Sequence, residues 1–412
     1  MISLSVVVPG GLLGWLIIVR AFRWRRYNAI HRKYEPKWRN GEGVITPEEA
    51  QIIAQLSAAY DMPLLLNYSL AFALFKTYAV HLKAALHHEG AQLQGDRIST
   101  LCRPTWFGCP ISGFLDPNFA RTNTGPDARP ADDPRANIAL ARANWIHSKH
   151  QISNDDFLYT LTLFALEPAR WAEKFGWRKL SPLEEHAWYI FWVEIGRRMD
   201  IKDIPDSLEA LKEWSRHYEE VSMVPNETNH EVAEYTIEEL LAAAPKAMGL
   251  RAFGERVVIS LLEDFVRKAM IYPKQPHVLT ASATVLLQMF SYFERFFLLP
   301  RASHATGLPI KTSLPPVIPG ERCPRLHPNK WAAKPWYRPE PTTFVGHLRE
   351  RLLVAVGWYS ELPKPELKSS GYRIEEMGPF KYENDGHEEI MKRAEELQGC
   401  PIKGPWSLEG RK

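Results

Sequence analysis

Apolar positions recur along most of the chain at helical spacing, and no period-2 runs that would predict paired strands are found. Met1 to Val19 carries no charged side chain and includes Leu4, Val6, Val7, Val8, Leu12, Leu13, Trp15, Leu16, Ile17, Ile18 and Val19. That is close to the roughly 20 apolar residues a membrane-spanning helix needs. Thr46-Pro47-Glu48-Glu49 predicts a helix start, with a Thr cap, Pro at the first position and acids at the positive end of the dipole. Leu64 to Leu86 predicts a second helix. The stretch from about 95 to 135, interrupted by Pro104, Pro110, Pro117, Pro126, Pro130 and Pro134, predicts an irregular loop. Asp132 or Asp133 with Pro134 opens a helix running to about His150, and Ser153 caps the next, through Phe157, Leu161, Phe164 and Ala165.

Ser181-Pro182-Leu183-Glu184 is a capping box, and the helix behind it buries Trp188, Phe191, Trp192, Ile195 and Met199. Ile237 to Leu250 and Gly254 to Met270 continue the helical pattern. Gln275 to Phe293 lacks formal charge but contains His277, Thr280 and Gln288. It predicts a buried helix, with a helix lying on a membrane surface as the alternative. Pro300 to Glu340 is dense in proline and reads as a linker or extended wrap. Helices near Val345–Trp358 and His387–Leu397 complete a tail. The fold class is all-α. The expected organisation is an anchor with a basic flank (1–26), a helical domain (40–300) and a Pro-rich linker with a tail packing on it (301–412).

Charge orients the anchor. Arg20, Arg23, Arg25 and Arg26 follow the apolar run, then Arg32, Lys33, Lys37 and Arg39. This order places the N-terminus in the lumen and the body in the cytosol. A cleaved signal peptide requires the reverse order. The net charge of +3 over 412 residues, with no recognition motif, gives no reason to expect a nucleic-acid partner. Fourteen tryptophans fit a large apolar pocket or contact with a membrane interface. Cys102, Cys109, Cys323 and Cys400 form no CxxC, so a zinc site or disulfide framework is not expected, and the compartment reads as reducing. Three of them precede proline, but none has the surroundings of a haem-thiolate loop.

GxSxG, P-loop, GxGxxG and HExxH signatures are absent. Glu227-Thr228-Asn229-His230 is a single Glu-x-x-His, where a helical di-iron centre needs two, and it reads as a solvated loop pair. Glu184 is explained by its capping box and Glu185 as solvated. Asp264, Arg267 and Lys268 read as a charged helix face. The sharpest local feature is Arg142-Ala143-Asn144-Trp145-Ile146-His147-Ser148-Lys149-His150. His147 and His150 share a helix face beside Ile138, Trp145 and Ile146. A His on such a wall is either a core or exposed residue or the axial ligand of a haem, whose propionates Arg142 and Lys149 could meet.

Several segments, in order along most of the chain, resemble the fungal endoplasmic-reticulum-bound oxygenases of the MpaB type, from mycophenolic acid biosynthesis. They are Phe72-Ala73-Leu74-Phe75-Lys76-Thr77-Tyr78, Trp145-Ile146-His147-Ser148, Asp156-Phe157-Leu158-Tyr159-Thr160-Leu161, Leu180-Ser181-Pro182-Leu183-Glu184, Met223-Val224-Pro225 and Arg267-Lys268-Ala269-Met270-Ile271-Tyr272. Gly371-Tyr372-Arg373-Ile374, Gly378-Pro379-Phe380-Lys381-Tyr382-Glu383 and Gly386-His387-Glu388-Glu389-Ile390 extend the resemblance into the tail. That family is similar in its catalytic domain to the bacterial rubber oxygenase, latex clearing protein. The resemblance implies a globin-like domain holding haem b, and oxidative cleavage by dioxygen of a C=C bond in a prenylated, farnesyl-type intermediate. It also implies attachment to the endoplasmic reticulum membrane and contact with its lipid. It puts His147 at the proximal iron ligand and, less directly, Arg121, Thr122 and Thr124 on the distal face. The segment from about Asp96 to Asn118 has no counterpart in the family. If it is disruptive, the chain is an inactive relative or an anchored lipid-binding protein.

Overall fold

Thr46 opens the core as its sequence predicts. Its hydroxyl accepts from Glu49 N while the Glu49 carboxylate accepts from Thr46 N, satisfying donors the first helical turn leaves free. A computed structural model of the chain describes residues 4–39, 43–80, 102–116, 128–241, 249–304, 307–315, 325–329 and 336–409. Among these residues every regular element is helical, with one isolated bridge between Leu326 and Tyr372.

The N-terminal helices are α1 (Leu4–Arg23), α2 (Arg25–Arg39), α3 (Pro47–Gln55) and α4 (Pro63–Thr77). A π-helical turn, Leu56–Asp61, joins α3 to α4. Gly307 lies flat on that turn, where a Cβ would overlap the Ala59 carbonyl. Then come α5 (Arg135–His147), α6 (Asn154–Phe175), α7 (Pro182–Arg198) and α8 (Leu208–Ser222). They are followed by α9 (Glu227–Leu240), α10 (Leu250–Leu261), α11 (Asp264–Ala269) and α12 (His277–Phe297). The tail contributes α13 (Phe344–Ala355) and α14 (His387–Gln398).

The centre of the molecule is a layer in which α3 packs on α7, α4 on α6, and α6 on α7. Trp188, Phe191, Trp192 and Ile195 of α7 are all essentially inaccessible, as their spacing predicts. A buried ionic knot staples the layer: Arg178 bridges Asp61 Oδ2 at 2.7 Å and Glu184 Oε2 at 2.7 Å. Glu184 also completes the Ser181 capping box, and His31 Nε2 meets Ser181 Oγ at 2.7 Å.

Four expectations change. The segment expected as an irregular loop is helical over 102–108, and Cys102, Trp106, Phe107 and Cys109 lie in the core. There the burial of two aromatics outweighs the proline signal, and Gln51 Nε2 satisfies the carbonyls of Trp106 and Cys109, each at 2.7 Å. Glu227 to His230 is the first turn of α9, not a loop. Asn229 there is buried and donates to the carbonyls of Ala79, Val224 and Ala269. The uncharged stretch from Gln275 does form a helix, but α12 buries only Ala283, Ser291 and Glu294.

The last change concerns the anchor. No single helix among the described residues is long and apolar enough to cross a membrane. From Leu4 to Val19 α1 rises about 24 Å, against about 30 Å of hydrocarbon. Pro9, Gly10, Gly11 and Gly14 further lower its apolar content, and Arg20 and Arg23 end it.

Candidate functional site

His147 is the last residue of α5, a helix whose inner face is nearly all alanine and aliphatic: Ala136, Ile138, Ala139, Leu140, Ala143 and Ile146 are buried. Pro134 sets the start of this helix, and three buried polar residues fix its position. Arg135 pairs with Asp133 at 2.7 Å and donates to the carbonyl of Lys311 at 2.9 Å. Asn137 accepts from Arg198 at 2.8 Å, tying α5 to the end of α7. Arg142, completely buried, donates Nε–H to Met377 O at 2.6 Å, Nη1 to Asp385 O at 3.0 Å and Nη2 to Tyr382 O at 2.7 Å.

The imidazole of His147 packs against Phe157 in the first turn of α6, ring centres 5.3 Å apart. Its Nδ1 is buried and has no hydrogen-bond partner. Burial, then the neighbouring His150, lowers its pKa to about 4. The ring is therefore neutral at physiological pH, with a nitrogen uncommitted to the protein. That is the form in which histidine binds a metal. Among the described residues no group of three or more His, Cys, Asp and Glu is placed to hold a metal ion. A haem asks less of the protein, since one axial nitrogen suffices. On the ligand side, His147 fits.

The other predicted residues divide. Arg142 spends all three guanidinium nitrogens on backbone carbonyls of the tail, so the structure gives it an occupation other than a propionate. Lys149 stacks over the Trp145 ring at 4.2 Å. Trp145 in turn donates to Glu389 at 2.7 Å, a second link from the His147 segment to the tail. Arg121, Thr122 and Thr124 lie outside the described residues. Asp264 and Arg267 pair on an exposed face, with Arg267 also donating to Tyr272 O at 2.6 Å. Lys212 approaches Glu185 at 3.5 Å on the surface.

Two features escaped the sequence reading. Trp106 and Trp192, packed edge to face at 6.3 Å, each bury an indole N–H that lacks an acceptor. Lys76, buried on α4, lies 2.8 Å from Glu167 and 3.8 Å from Glu219, and also pairs with Glu263. Arg170 joins Glu167 at 2.8 Å, and Tyr159 donates to Glu219 at 3.1 Å. This cluster edges a cleft of about 420 Å³ walled by Phe72, Trp171, Phe175, Leu261 and Val266. A second cleft of about 410 Å³ lies between Leu66, Leu70, Phe107, Trp188 and Leu308, beside the π-turn. His147 lines neither. A lysine in Phe72–Tyr78 and a glutamate in Leu163–Ala169, each the one charge in its run, were the legible signals of the ion cluster.

Comparison with known proteins bears on this arrangement. Residues 143–299 match the family described as ER-bound oxygenase mpaB/B'/Rubber oxygenase, catalytic domain. An ER-bound oxygenase mpaB' of Penicillium brevicompactum is 29% identical over 95% of this chain and 92% of its own. An ER-bound oxygenase mpaB of the same organism is 32% identical over 55% of this chain and 59% of its own. The mpaB of Penicillium roqueforti is 29% identical over 64% of this chain and 89% of its own. His147 is the fifth residue of the matched segment, which therefore includes the last turn of α5.

Proposed function

For a chain that carries, over residues 143–299, an oxygenase catalytic domain of the ER-bound oxygenase and rubber oxygenase family and is therefore an oxidoreductase, we propose a haem-dependent, membrane-anchored oxygenase. Its substrate is a prenylated, farnesyl-type secondary-metabolite intermediate, and its reaction is cleavage of a C=C bond with dioxygen into carbonyl fragments. The observation that carries the reading is His147, a half-buried, neutral imidazole whose buried Nδ1 has no partner, inside that domain.

Haem b, when bound, supplies the iron at which dioxygen is activated. The chain's own part is to hold and orient. His147 would hold the iron, and Phe157 packs tilted against its imidazole, limiting how the ring can turn. Arg142 and Trp145 lock the end of α5 against the tail, so the ligand cannot drift with its helix. Arg121, Thr122 and Thr124 would be the candidates to meet dioxygen.

The relatives are named ER-bound, and the basic run after α1 supports the endoplasmic reticulum membrane with the body in the cytosol. A farnesyl chain partitions into that membrane, so attachment raises the local substrate concentration. A second reading, an anchored protein that holds such a lipid without converting it, is favoured by one observation. The family match begins at residue 143, downstream of all three distal candidates.

The test is aerobic incubation of the haem-loaded full chain, in detergent, with a farnesylated phenol. Shortened carbonyl products by mass spectrometry, absent under argon, support cleavage. Binding of the phenol without oxygen uptake supports the second reading.

A further inference from the structure

Helix α12 is built inside out. The side chains it buries are Ala283, Ser291 and Glu294. The side chains it turns outward include Leu286 at 65% exposure, Met289 at 62% and Phe293 at 48%, and its last turn runs into exposed Leu298 and Leu299. No Asp, Glu, Lys or Arg occurs from Gln275 to Phe293. In the second half of the helix Gln288 and Glu294 turn toward the body, where their partners are: Glu294 pairs with Arg301 at 2.9 Å, and Gln288 donates to Lys174 O at 2.9 Å. A helix facing water shows the opposite order, with apolar residues in and charges out. An apolar face of this length marks a surface that meets something other than water.

The neighbouring helix indicates what that is. Trp15 Nε1 donates to Phe297 O at 2.9 Å, and Val19 is buried to 1% exposure. The Arg23 guanidinium donates to the carbonyls of Glu294, Arg295 and Leu298, capping the end of α12. Helix α1 is thus fastened across α12 rather than hinged away from it. On its other side α1 exposes Leu12, Leu13, Ile17 and Ile18, and a Cβ on Gly10, Gly11 or Gly14 would meet nothing. The two apolar surfaces share one edge. Exposed Arg20, Arg25, Arg32 and Lys33 follow directly, suited to anionic headgroups.

We infer that the outer face of α12, from Val285 to Leu299, is seated in the headgroup–acyl boundary of a lipid bilayer alongside α1. The inference rests on reading α1 as the anchor and extends it: the body lies on the membrane, in a fixed orientation, instead of being tethered above it. It also explains how an apolar stretch shorter than the hydrocarbon core attaches the protein, since α12 adds a second insertion surface.

The test uses the full chain in nanodiscs of phosphatidylcholine and phosphatidylserine. Single cysteines replace Leu286, Leu13 or the exposed Glu213 of α8 in a Cys323→Ser background, and each carries an environment-sensitive fluorophore. Leu286 is exposed enough that the label displaces nothing, and unchanged far-UV circular dichroism verifies the fold. The expected result is a blue-shifted Leu286 probe, quenched at least about twofold by shallow spin-labelled lipid, with the Glu213 probe unaffected. An aqueous Leu286 probe beside a quenched Leu13 probe overturns the inference and leaves the anchor standing. Aqueous probes at both positions overturn both.

Discussion

Arg142 and Met377 are joined across 235 residues of chain by a 2.6 Å hydrogen bond from the arginine Nε–H to the methionine carbonyl. With the bonds to Tyr382 and Asp385, this makes the tail a brace for the helix that ends on His147. Arg142→Ala leaves buried carbonyls without donors and should cost about 3 kcal/mol or more. Arg142→Lys, able to serve fewer of the three, should recover only part. Denaturant unfolding gives the magnitude, and limited proteolysis should cut near residue 360 in the variant but not in the parent. Equal stability would show that the tail merely rests on α5.

Gly386 tests the same brace from the other side. It sits at φ +71° with a Cβ position that would overlap the Trp145 ring. Gly386→Ala therefore combines backbone strain of about 1 kcal/mol with a clash of about 1–3 kcal/mol. In a Trp145→Ala background only the backbone part should remain. A double-mutant cycle with no coupling would place the cost elsewhere.

The Lys76 cluster predicts a pH signature. Burial pushes the Glu167 carboxyl up, but Lys76 and Arg170 outweigh it and hold the pKa below the usual carboxylate value. Its contribution is therefore present above the unfolded pKa and lost as pH falls through the lower folded value. In Lys76→Met, burial faces only Arg170 and the pKa should rise instead. The variant should lose about 3–5 kcal/mol near neutral pH. The gap to the parent should narrow toward pH 4 as the stranded carboxylates take up protons. Unfolding midpoints of both proteins across pH 4–8 check this; a constant gap would contradict it.

Truncation should be sharply position-dependent. Removing residues 1–14 spares Trp15, Val19 and Arg23. Removing 1–26 also deletes Trp15, Val19, Arg23 and Arg26, whose contacts run to α12 and to the carbonyls of Arg301 and Ala302. The shorter cut should leave the melting temperature of the detergent-solubilised body nearly unchanged. The longer cut should lower it by several degrees and promote aggregation. Equal melting temperatures would mean that α1 is a detached tether.

Helix starts were the most legible part of the sequence. Thr46, Ser153 and Ser181 each cap the helix their side chain predicts, because capping is decided within four residues. The all-helical class followed from periodicity for the same reason. What escaped were properties set by distant partners. Periodicity at α12 gives a helix but not which side faces outward, since that depends on Lys174, Arg301 and α1. Proline at 104 and 110 argued for a loop, while the buried ring of Trp106 and the Gln51 amide argued more strongly for a helix. At the site, His147 was legible as a His on an apolar wall. Arg142 looked like a propionate partner, because its carbonyl acceptors lie more than 230 residues away.

The central claim is that His147 holds haem, and an absorption spectrum tests it most directly. The chain lacking residues 1–14 is expressed with haem supplied, beside the His147→Ala variant, and both are checked for equal far-UV circular dichroism. The account predicts a Soret band in the parent that is lost or strongly shifted in the variant, with imidazole restoring it in part. No Soret band in either protein, or an identical one in both, would contradict it.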